Sequence, residues 1–516
     1  MSGKRDRSVN VTDGDLFKPL LILSAPIVLS QILNVGYNLA DTYWVGRLGS
    51  DAVAALSYSW AIVFLMVSVG GGLTVAGTVL VSQYKGAKDF RRSHHVAGQT
   101  LSFVTIVAFV FGVAGFALSP WMIRLVGAEP GTDAYVYAVN YTRIIFASVV
   151  FMFWFFIFDA LSRGWGDTRT PLYLMIISVT INVIIDPFFI LGFTDNPMFE
   201  WADAFATVLV GTLAVVPGIV GGEVTTFAGF GEWLYAETAF TGFGVEGAAI
   251  ATVISRGIAA GVGLYLLFSG KVGLEPSLGD LKLRPSTVRK IVDIGAPVAT
   301  EQGVRAFGIT VLTALIALAG TEAVAAYGII NRLSSLMFLP ALGLARGTET
   351  VVGQNLGARQ TDRAKRAVKL SSMVIVSVFA VVIAIAYPFA EPIVSFFIEG
   401  ESAPQVVEFG AAYILIAGPS YVFLGVFQIM LGGLRGSGST RAAMVLSIQE
   451  LWVFRIPIAA FAIGYLGMGV YGVWWAIAIS YVLSAITTGI WFLRGTWTDN
   501  VIEDDLDDAY PIAAGD

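Results

Sequence analysis

The chain has no cysteine and only two histidines, His94 and His95, among its 516 residues. The absence of cysteine excludes disulfides, thiol nucleophiles and cysteine-ligated metal sites. The two histidines lie together in a polar, basic connection, so we expect them to be solvated loop residues rather than metal ligands. The sequence also lacks a Walker motif and a nucleophile elbow, which leaves enzyme chemistry without support. We therefore expect no enzyme activity, no cofactor and no nucleic-acid partner.

Charged residues are also scarce, at 13% of the chain, whereas hydrophobic residues make up 56%. This composition is unusual for a soluble globular protein and indicates an integral membrane protein. Because one helical crossing needs about 20 apolar residues, the chain is long enough for roughly twelve spans with short connections. Its first residues, MSGKRDRSVNVTDGDLFK, are polar and lack the apolar core of a signal peptide. The first span is therefore expected to remain in the mature protein.

Apolar runs separated by glycine, proline and charged clusters mark the predicted spans. In chain order they cover residues 19–46, 53–82, 96–120, 135–159, 171–193, 245–268, 291–318, 323–352, 370–390, 409–433, 442–464 and 470–493. The number of spans is even, so both ends of the chain are expected on the same side of the membrane.

Basic residues indicate which side that is, because they concentrate in alternate connections. These are KRDR (4–7), YKGAKDFRR (84–92), SRGWGDTR (162–169), KLRPSTVRK (282–290), RQTDRAKRAVK (359–369) and LRGSGSTR (434–441). The connections between them carry little positive charge apart from Arg47 and Arg124. The positive-inside rule therefore predicts a multi-pass plasma-membrane protein with both termini in the cytoplasm.

One apolar stretch does not fit this alternation. Residues 204–222, AFATVLVGTLAVVPGIVGG, are long enough to cross the membrane. A crossing there would reverse the orientation of every later connection. We therefore predict an extracellular insertion at about 194–243 that is re-entrant or lies in the membrane interface.

The two halves of the chain repeat each other. SAPIVLSQ (24–31) matches GAPVATEQ (295–302), and the same offset aligns GSDAVAAL (49–56) with GTEAVAAY (320–327). Each half has six spans, so the copies share one orientation and predict two lobes related by an axis along the membrane normal. The predicted units are a cytoplasmic segment (1–18), the first lobe with its insertion (19–270), a cytoplasmic linker (271–290), the second lobe (291–494) and an acidic cytoplasmic tail (495–516).

A comparison of the halves separates residues that the fold needs from residues that it does not need. The first half is polar at several positions where the second is apolar: Asp41 aligns with Leu312, Asp159 with Leu431, Asn182 with Phe454, Asp186 with Ile458, and Thr252 with Ile477. Carboxylates within the membrane are costly and tend to mark ion paths or proton relays. The asymmetry therefore predicts a functional site in the first lobe.

The chemistry of these residues favours a cation. Asn182 and Asp186 lie four residues apart, on one face of the fifth predicted span. With Asp41 and Thr252 they provide only oxygen atoms, which suits Na⁺ or a proton held between two acids. Two simpler interpretations stay open: Asp41 could be an interfacial residue at the end of its span, and Asp186 a helix-end acid.

Other charged residues are open to structural interpretations. Asp159 precedes a cytoplasmic connection, and two interpretations stay open: it pairs with Arg163, or it belongs to the functional site of the first lobe. Glu301 and Arg305 are four apart on the seventh span and are predicted to pair with each other. The remaining intramembrane arginines could snorkel or pair with acids: Arg143, Arg256, Arg332 and Arg455.

The order and duplication of the motifs resemble those of the MATE (multidrug and toxic compound extrusion) transporters. The motifs are an early Ala25-Pro26, GxxAVAA after the first span, SQxxGA and GQNLGA at the ends of spans two and eight, RGxGDTRTP after the fourth span and GVxGAAIAT at the sixth. The resemblance covers roughly residues 20–495, apart from the insertion. It implies an all-α polytopic membrane protein, with twelve transmembrane helices in two six-helix lobes.

Within that family the chain is similar to the DinF-like branch, including its archaeal members. This resemblance implies a first-lobe cation site formed by Asp41, Asn182, Asp186 and Thr252, with a backbone carbonyl near Ala248 as a further ligand. Asp159 departs from the family pattern, since an asparagine is usual there. The NorM-like branch instead has acids on spans seven and ten. Here Arg305 is the nearest match on span seven, and span ten has no acid, so that second-lobe site is not expected.

The resemblance implies an antiporter that exports hydrophobic, cationic compounds in exchange for Na⁺ or H⁺. Asn34, Tyr37, Asp159 and Arg305 are candidate residues of the substrate cavity. Membrane lipids and small amphipathic substrates are the expected partners of a monomer. The alternative is a flippase for a lipid-linked oligosaccharide, which predicts a cavity lined by basic residues.

Overall fold

Long apolar runs fold as helices because a helix satisfies its own backbone hydrogen bonds, which lipid cannot do. The computed structural model describes residues 8–194, 196–210, 226–498 and 501–502, and these contain helices but no strand. The described part of the first half forms α1 (Phe17–Gly46), α2 (Ser50–Gly86), α3 (Phe90–Leu125), α4 (Asp133–Ala147), α5 (Val149–Trp165), α6 (Arg169–Leu191), α7 (Pro197–Val210), α8 (Phe227–Thr238) and α9 (Val245–Phe268).

The second half repeats this order without the insertion. Its α-helices are α10 (Pro285–Ala317), α11 (Thr321–Gly357), α12 (Thr361–Ala386), α13 (Ala390–Ser395), α14 (Ala403–Ala417), α15 (Tyr421–Gly436), α16 (Thr440–Ile448), α17 (Ile456–Gly464) and α18 (Gly469–Leu493). A 3₁₀ turn connects α12 to α13 and another connects α14 to α15, whereas a π-helical stretch, Gln449–Arg455, connects α16 to α17. Each joined pair forms one long helix or span.

The predicted spans correspond to these helices. Within the described residues, ten helices are long and apolar enough to cross a membrane, and the bent pair α4 and α5 makes an eleventh. The seventh predicted span falls on α10, which has 33 residues but is less apolar because it carries Glu301 and Arg305. Most helices extend beyond the predicted spans, since their polar ends continue past the apolar run.

The fourth predicted span is not one straight helix. It is broken at Ser148, where α4 and α5 meet at an angle of 54°. The Ser148 hydroxyl donates to the carbonyl oxygens of Ile144 and Ile145, at 2.8 and 3.1 Å. A serine that competes in this way for helix carbonyls bends the helix.

The RGxG motifs at 163–166 and 435–438 form tight turns. Gly166 has a φ of 89° at the end of α5, and Gly438 has a φ of 87° after α15. These left-handed backbone angles favour glycine because it has no Cβ.

The described part of the predicted insertion contains α7 and α8. The Asp203 carboxylate accepts hydrogen bonds from the backbone N–H groups of Phe227 and Ala228, at 2.7 and 2.9 Å, and so caps α8. Trp201 packs against Tyr43 and Trp44 at the end of α1. Residues 211–225, which include most of the stretch predicted to be re-entrant or interfacial, lie outside the described residues.

Two large apolar cores fill the two halves of the molecule, which we call lobe one and lobe two. The helices of the first half surround the first core, to which Ile291 and Ile294 of α10 also contribute, and the helices of the second half surround the second core. The lobes meet mainly where α2 packs on α10 and α1 packs on α11. At this boundary a Cβ added to Gly72 would overlap the backbone of Ala299, and one added to Gly343 would overlap Val28.

We call the end of the molecule that carries the basic connections the basic side. These close approaches all lie in the halves of the helices nearest to it. A Cβ added to Gly347 would overlap Ser24, and one added to Gly357 would overlap the carbonyl group of Gln83. Glycine is needed here because the helix backbones approach one another without room for a side chain. The lobes are therefore tightly packed at the basic side.

Candidate cation site and cavity

A cavity of about 270 Å³ lies in lobe one and reaches the boundary with lobe two. Helices α1, α2, α4, α5, α6 and α9 form most of its wall, and α11 closes it toward lobe two. Several of the predicted site residues line it: Asn34, Tyr37, Asp41, Asp159 and Thr252. Arg305 is not among its lining residues and lies in lobe two.

The two central acids of the predicted site lie side by side. The Asp41 carboxyl group is next to both Asp186 and Asn182. The Asn182 side-chain amide donates to Asp186 Oδ1 at 3.0 Å. Asp41 is 7% exposed, and Asn182 and Asp186 are fully buried. Neither acid is therefore a solvated residue at a helix end, and α1 and α6 bring them to one point.

Three oxygen atoms of this cluster have no hydrogen-bond donor among the described residues. They are Asp41 Oδ1, Asn182 Oδ1 and Asp186 Oδ2. Buried acceptors without a donor are costly, and a cation or a proton would satisfy them. The oxygen set therefore fits a hard monovalent cation or a shared proton.

Helix α9 brings Thr252 into the wall of the same cavity as Asp41. Ala248 lies one turn earlier on the same helix and is fully buried. The hydroxyl groups of Thr252 and Tyr37 form a hydrogen bond with each other. Because the backbone N–H of a helix bonds to the carbonyl four residues before, the Ala248 carbonyl points toward the Thr252 turn.

At the repeat-equivalent positions, the described residues of lobe two provide no such set of acceptors. Leu312 and Ile477, which align with Asp41 and Thr252, are buried in the second apolar core. Phe454 and Ile458 stand in place of Asn182 and Asp186. The fold thus tolerates apolar side chains at these positions, so the polar residues of lobe one are not required for packing.

Lobe two contains a different buried polar group around Arg455. The sequence alone did not decide whether this arginine snorkels or pairs with an acid. Arg455 pairs with Glu450, and its Nε donates to the Ser480 hydroxyl at 3.1 Å. The Arg455 guanidinium also stacks on Tyr481, with 4.6 Å from Cζ to the ring centroid. Residues five apart do not face each other on an α-helix, but the π-helical stretch brings them together. A π-helix has no simple sequence signal, which is why the pair was missed.

Arg256 does not snorkel, and it forms no ion pair with an acid among the described residues. It is 6% exposed and lines the cavity of lobe one. Its guanidinium donates to Asn34 Oδ1 at 2.9 Å and to Met175 Sδ at 3.1 Å. It also lies between the rings of Tyr37 and Phe155, 5.1 Å from each centroid. A permanent positive charge therefore stands beside the carboxylate cluster.

At its end toward the basic side, the cavity is bounded by further charges. Asp159 pairs with Arg163 at 3.2 Å, as one of the two interpretations of its sequence predicted, and both also line the cavity. Arg346 and Glu349 of α11 line it from lobe two. Both lobes thus contribute charges to this end of the cavity.

The predicted pairing of Glu301 with Arg305 is wrong. Glu301 is 2% exposed, and its Oε1 accepts a hydrogen bond from Arg435 Nη2 of α15 at 2.6 Å. The Arg305 guanidinium instead stacks over the ring of Phe338 at 5.8 Å. Helical spacing permitted the local pair, but Glu301 faces the interior of the protein, where an arginine from another helix reaches it.

The prediction that both histidines are solvated loop residues is also wrong. They lie in the first turns of α3 and contact the linker between the lobes. His94 Nδ1 accepts the Glu275 backbone N–H at 2.8 Å, and His95 Nδ1 lies 2.9 Å from Asp280 Oδ1. The sequence could not show this, because the linker partners are about 180 residues away.

The arginines do not gather as the flippase alternative requires. Arg143 stacks on Phe116, and Arg305 and Arg455 lie in lobe two. Five intramembrane arginines were candidates to line such a cavity, namely Arg143, Arg256, Arg305, Arg332 and Arg455, and only Arg256 lines the described one. Its other two arginines, Arg163 and Arg346, stand beside Asp159 and Glu349. The charges of this cavity are therefore mixed rather than basic.

Comparisons with known proteins agree with the repeat and the fold. The MatE family model matches residues 26–188 and 297–461, one match in each half. "Probable multidrug resistance protein YoeA" of Bacillus subtilis is 27% identical over 478 residues, which are 91% of this chain and 92% of that protein. The FAD transporter of Shewanella oneidensis is 25% identical over 468 residues, covering 90% and 92%. A solved MOP superfamily transporter from Pyrococcus furiosus aligns with a TM-score of 0.80 at 21% identity, covering 96% and 99%.

Proposed function

Because the chain belongs to the MatE family of membrane transporters, we propose that it is a secondary active antiporter that exchanges Na⁺ or H⁺ for hydrophobic, cationic organic compounds. Export of drugs or other toxic compounds is supported by the multidrug resistance relative, although another relative is a transporter of FAD. The coupling cation is a transported substrate, and no cofactor is needed. The compounds it exports would occupy the cavity of lobe one.

The observation that carries this proposal is the set of buried acceptors beside the cavity. Asp41, Asn182 and Asp186 each leave one oxygen without a donor among the described residues. Together with the Thr252 hydroxyl and the Ala248 carbonyl, they would bind the coupling cation. A role in packing alone does not explain the cluster, because the residues at the equivalent positions of lobe two are apolar.

The mechanism follows from competition for charge within one cavity. A cation that enters from outside would neutralise the Asp41 and Asp186 carboxylates and weaken the attraction of the cavity for a cationic compound. Exchange requires that the cation bind the two conformations of the lobes with different affinity. The tight packing at the basic side supports a state in which the cavity is closed on that side.

The membrane setting is part of the proposal. Both termini would lie in the cytoplasm and the protein would be a monomer in the plasma membrane. Large apolar side chains on the outer surface support contact with lipid: for example, Phe109 is 64% exposed and Leu493 is 87% exposed. Lipid tails would cover these side chains at no cost.

Transport in proteoliposomes tests the function. The purified protein would be reconstituted, loaded with a fluorescent organic cation and exposed to an inward Na⁺ gradient or an inward proton gradient. We expect one of these gradients to drive export, which identifies the coupling ion. If neither gradient drives export of the compound, the antiporter proposal is wrong.

Two matched variants test the site. Asp41→Asn removes a carboxylate of the cluster, whereas Asp51→Asn makes the same change at an exposed acid in the first turn of α2. We expect Asp41→Asn to abolish gradient-driven export and Asp51→Asn to retain it. Export that is equal in both variants would refute the assignment of the cation site, while the antiporter function would stand.

A further inference from the structure

The segment that precedes α1 packs at the basic side, and no step of the transport mechanism above uses it. We call residues 9–15 the strap, which ends shortly before α1 begins at Phe17. Asn10 shapes the strap, because its Oδ1 accepts the backbone N–H groups of Thr12 and Asp13 at 3.0 and 3.3 Å. An asparagine side chain that bonds to the following backbone in this way forms a turn. The strap therefore has a defined conformation.

Lobe two binds the strap, although the strap leads into the first helix of lobe one. The Arg363 guanidinium of α12 donates to three carbonyl oxygens of the strap: Nε to Val11 at 3.2 Å, Nη1 to Gly14 at 2.8 Å and Nη2 to Asp13 at 3.0 Å. Asn355, near the end of α11, also donates to the Val11 carbonyl oxygen at 3.2 Å. A rigid guanidinium that donates to several carbonyl oxygens fixes the backbone that carries them.

A third, small apolar core adds to these hydrogen bonds. It combines side chains of the strap and α1 with side chains of α11 and α12, and its buried members are Val11, Leu16, Leu20, Leu23, Val351 and Ala367. Removing these side chains from water stabilises the contact between the strap and lobe two. The strap also reaches lobe one, where the Val9 backbone N–H donates to the carbonyl oxygen of Gly166 at 3.1 Å. It therefore contacts both lobes at once.

The internal repeat gives the strap a counterpart. The offset that aligns residues 24–31 with 295–302 also aligns the strap with residues 280–286, at the end of the linker. Helix α3 of lobe one, the repeat mate of α12, binds this second segment: Gln99 Nε2 donates to the carbonyl oxygens of Asp280 and Lys282 at 2.6 and 2.7 Å. Each segment that leads into the first helix of one lobe is thus bound by the third helix of the other lobe.

We propose that the strap is a latch that holds the two lobes together at the basic side and that it leaves Arg363 when this side opens. Gly166 and Arg363 belong to different lobes, so a strap that is bound to both opposes their separation. Loss of the Arg363 hydrogen bonds frees lobe two, while the strap stays attached to α1. This inference rests on the proposed exchange between two conformations of the lobes.

The absence of cysteine makes both release and opening measurable. Asp13→Cys places a nitroxide label on an exposed side chain of the strap, and the mobility of this label reports release. In a separate protein, Arg169→Cys in lobe one and Lys369→Cys in lobe two carry two labels at exposed positions, and the distance between them reports opening. Both are measured in nanodiscs without a gradient or an organic compound, so the result does not depend on what the protein exchanges.

Arg363→Ala removes the three bonds to the strap, and Arg366→Ala is its matched control, an exposed arginine of the same helix that makes no side-chain hydrogen bond within the described part of the chain. We expect Arg363→Ala to make the strap label mobile and to raise the ratio of open to closed protein about tenfold or more. Arg366→Ala should change neither. Val11→Asp, which places a carboxylate in the third core, should act in the same direction as Arg363→Ala, so the test does not depend on one substitution.

Three outcomes would overturn the latch. The first is a strap label that is already mobile without a second substitution, and the second is a label that stays immobile in both Arg363→Ala and Val11→Asp. The third is a mobile strap with an unchanged distance distribution, because the strap would then anchor α1 without holding the lobes together. A failure of the antiporter proposal would appear in the proteoliposome assay instead, and it would leave these measurements unaffected.

Discussion

Gln83 of α2 donates a hydrogen bond across the lobe boundary to the carbonyl oxygen of Gly436 in α15, at 3.2 Å. Its repeat mate, Gln354 of α11, donates in the opposite direction to the carbonyl oxygen of Gly164 in α5, at 2.9 Å. Both glutamines are buried. The two bonds form a reciprocal pair that follows the internal repeat and joins the lobes at the basic side.

Removing both glutamine bonds is expected to open the basic side. A buried hydrogen bond contributes about 1 kcal/mol, so Gln83→Ala with Gln354→Ala should shift the equilibrium between closed and open states by more than tenfold. Spin labels at Arg169→Cys in lobe one and Lys365→Cys in lobe two report this opening as a distance. We expect the double variant to gain a population at longer distance.

Gln302→Ala is the control for that measurement. Gln302 lies on α10 and makes no side-chain hydrogen bond within the described part of the chain. Its removal should leave the distance distribution unchanged. If the double variant gives the same distribution as Gln302→Ala, then the glutamine bonds do not hold the lobes together.

The packing of α11 against α2 gives a second prediction. Gly357→Ala should destabilise the protein by about 1–3 kcal/mol, because the new Cβ would overlap the carbonyl group of Gln83. Gly328→Ala is a matched control on the same helix, since nothing lies within 4 Å of its Cβ. Thermal unfolding in detergent compares them. Equal melting temperatures for the two variants would show that the lobes separate readily at this point.

Cation binding should be visible as stabilisation, even without transport. A ligand that binds only the folded state raises its stability by about 2.7 kcal/mol at a concentration 100 times its Kd. We expect Na⁺ or a lower pH to raise the melting temperature of the native protein, and Asp186→Asn to remove that response. Asp51→Asn should keep it. A response retained in Asp186→Asn would place the cation elsewhere.

The fold could be predicted because apolar runs in the sequence mark the spans. The polar cluster could be predicted because the two repeated halves differ at its positions. Apolar runs mark the spans, and the contrast between Asp41 and Leu312 marks a residue that packing does not require. The comparison works because the repeat provides an internal control for each position. The structure brings Asp41, Asn182 and Asp186 together as predicted, and their role as the cation site remains a proposal.

The sequence could not predict contacts that depend on helix rotation or on an irregular helix. Glu301 has an arginine four residues away, yet it pairs with Arg435 from α15. Glu450 reaches Arg455 only through a π-helical stretch, and the kink at Ser148 depends on which carbonyl oxygens its hydroxyl donates to. In each case several geometries satisfy the same local pattern, and tertiary packing selects one.

The Glu301 and Arg435 pair gives a prediction of stability. Arg435→Met leaves a buried carboxylate without its partner and should cost about 3–5 kcal/mol, whereas combining it with Glu301→Gln should recover part of this loss. Arg305→Met is the control, because Arg305 does not pair with Glu301. Unfolding measurements on the native protein, Arg435→Met, Glu301→Gln and the combined variant form a double-mutant cycle. Additive effects of the two substitutions would contradict a direct interaction.

Arg256 is expected to weaken cation binding in the native protein. Its guanidinium is buried beside the cavity and lies close enough to Asp41 to interact with it electrostatically. It is bound by Asn34 and Met175 rather than by a carboxylate, so its charge acts on the cation cluster without neutralisation. Arg256→Met keeps the apolar stem between Tyr37 and Phe155 but removes the charge. Loss of about 1.4 kcal/mol of repulsion would lower the half-saturating cation concentration about tenfold.

Titration of the melting temperature with the coupling cation measures this change. Arg143→Met is the matched control, since Arg143 also lies in lobe one and stacks on an aromatic ring, Phe116, but does not line the cavity. We expect tighter binding in Arg256→Met and no change in Arg143→Met. Weaker binding in Arg256→Met would show that Arg256 instead supports the cluster through Asn34. In the proposed mechanism, the repulsion from Arg256 would keep the cation affinity low enough for release, which an exchanger needs in every cycle.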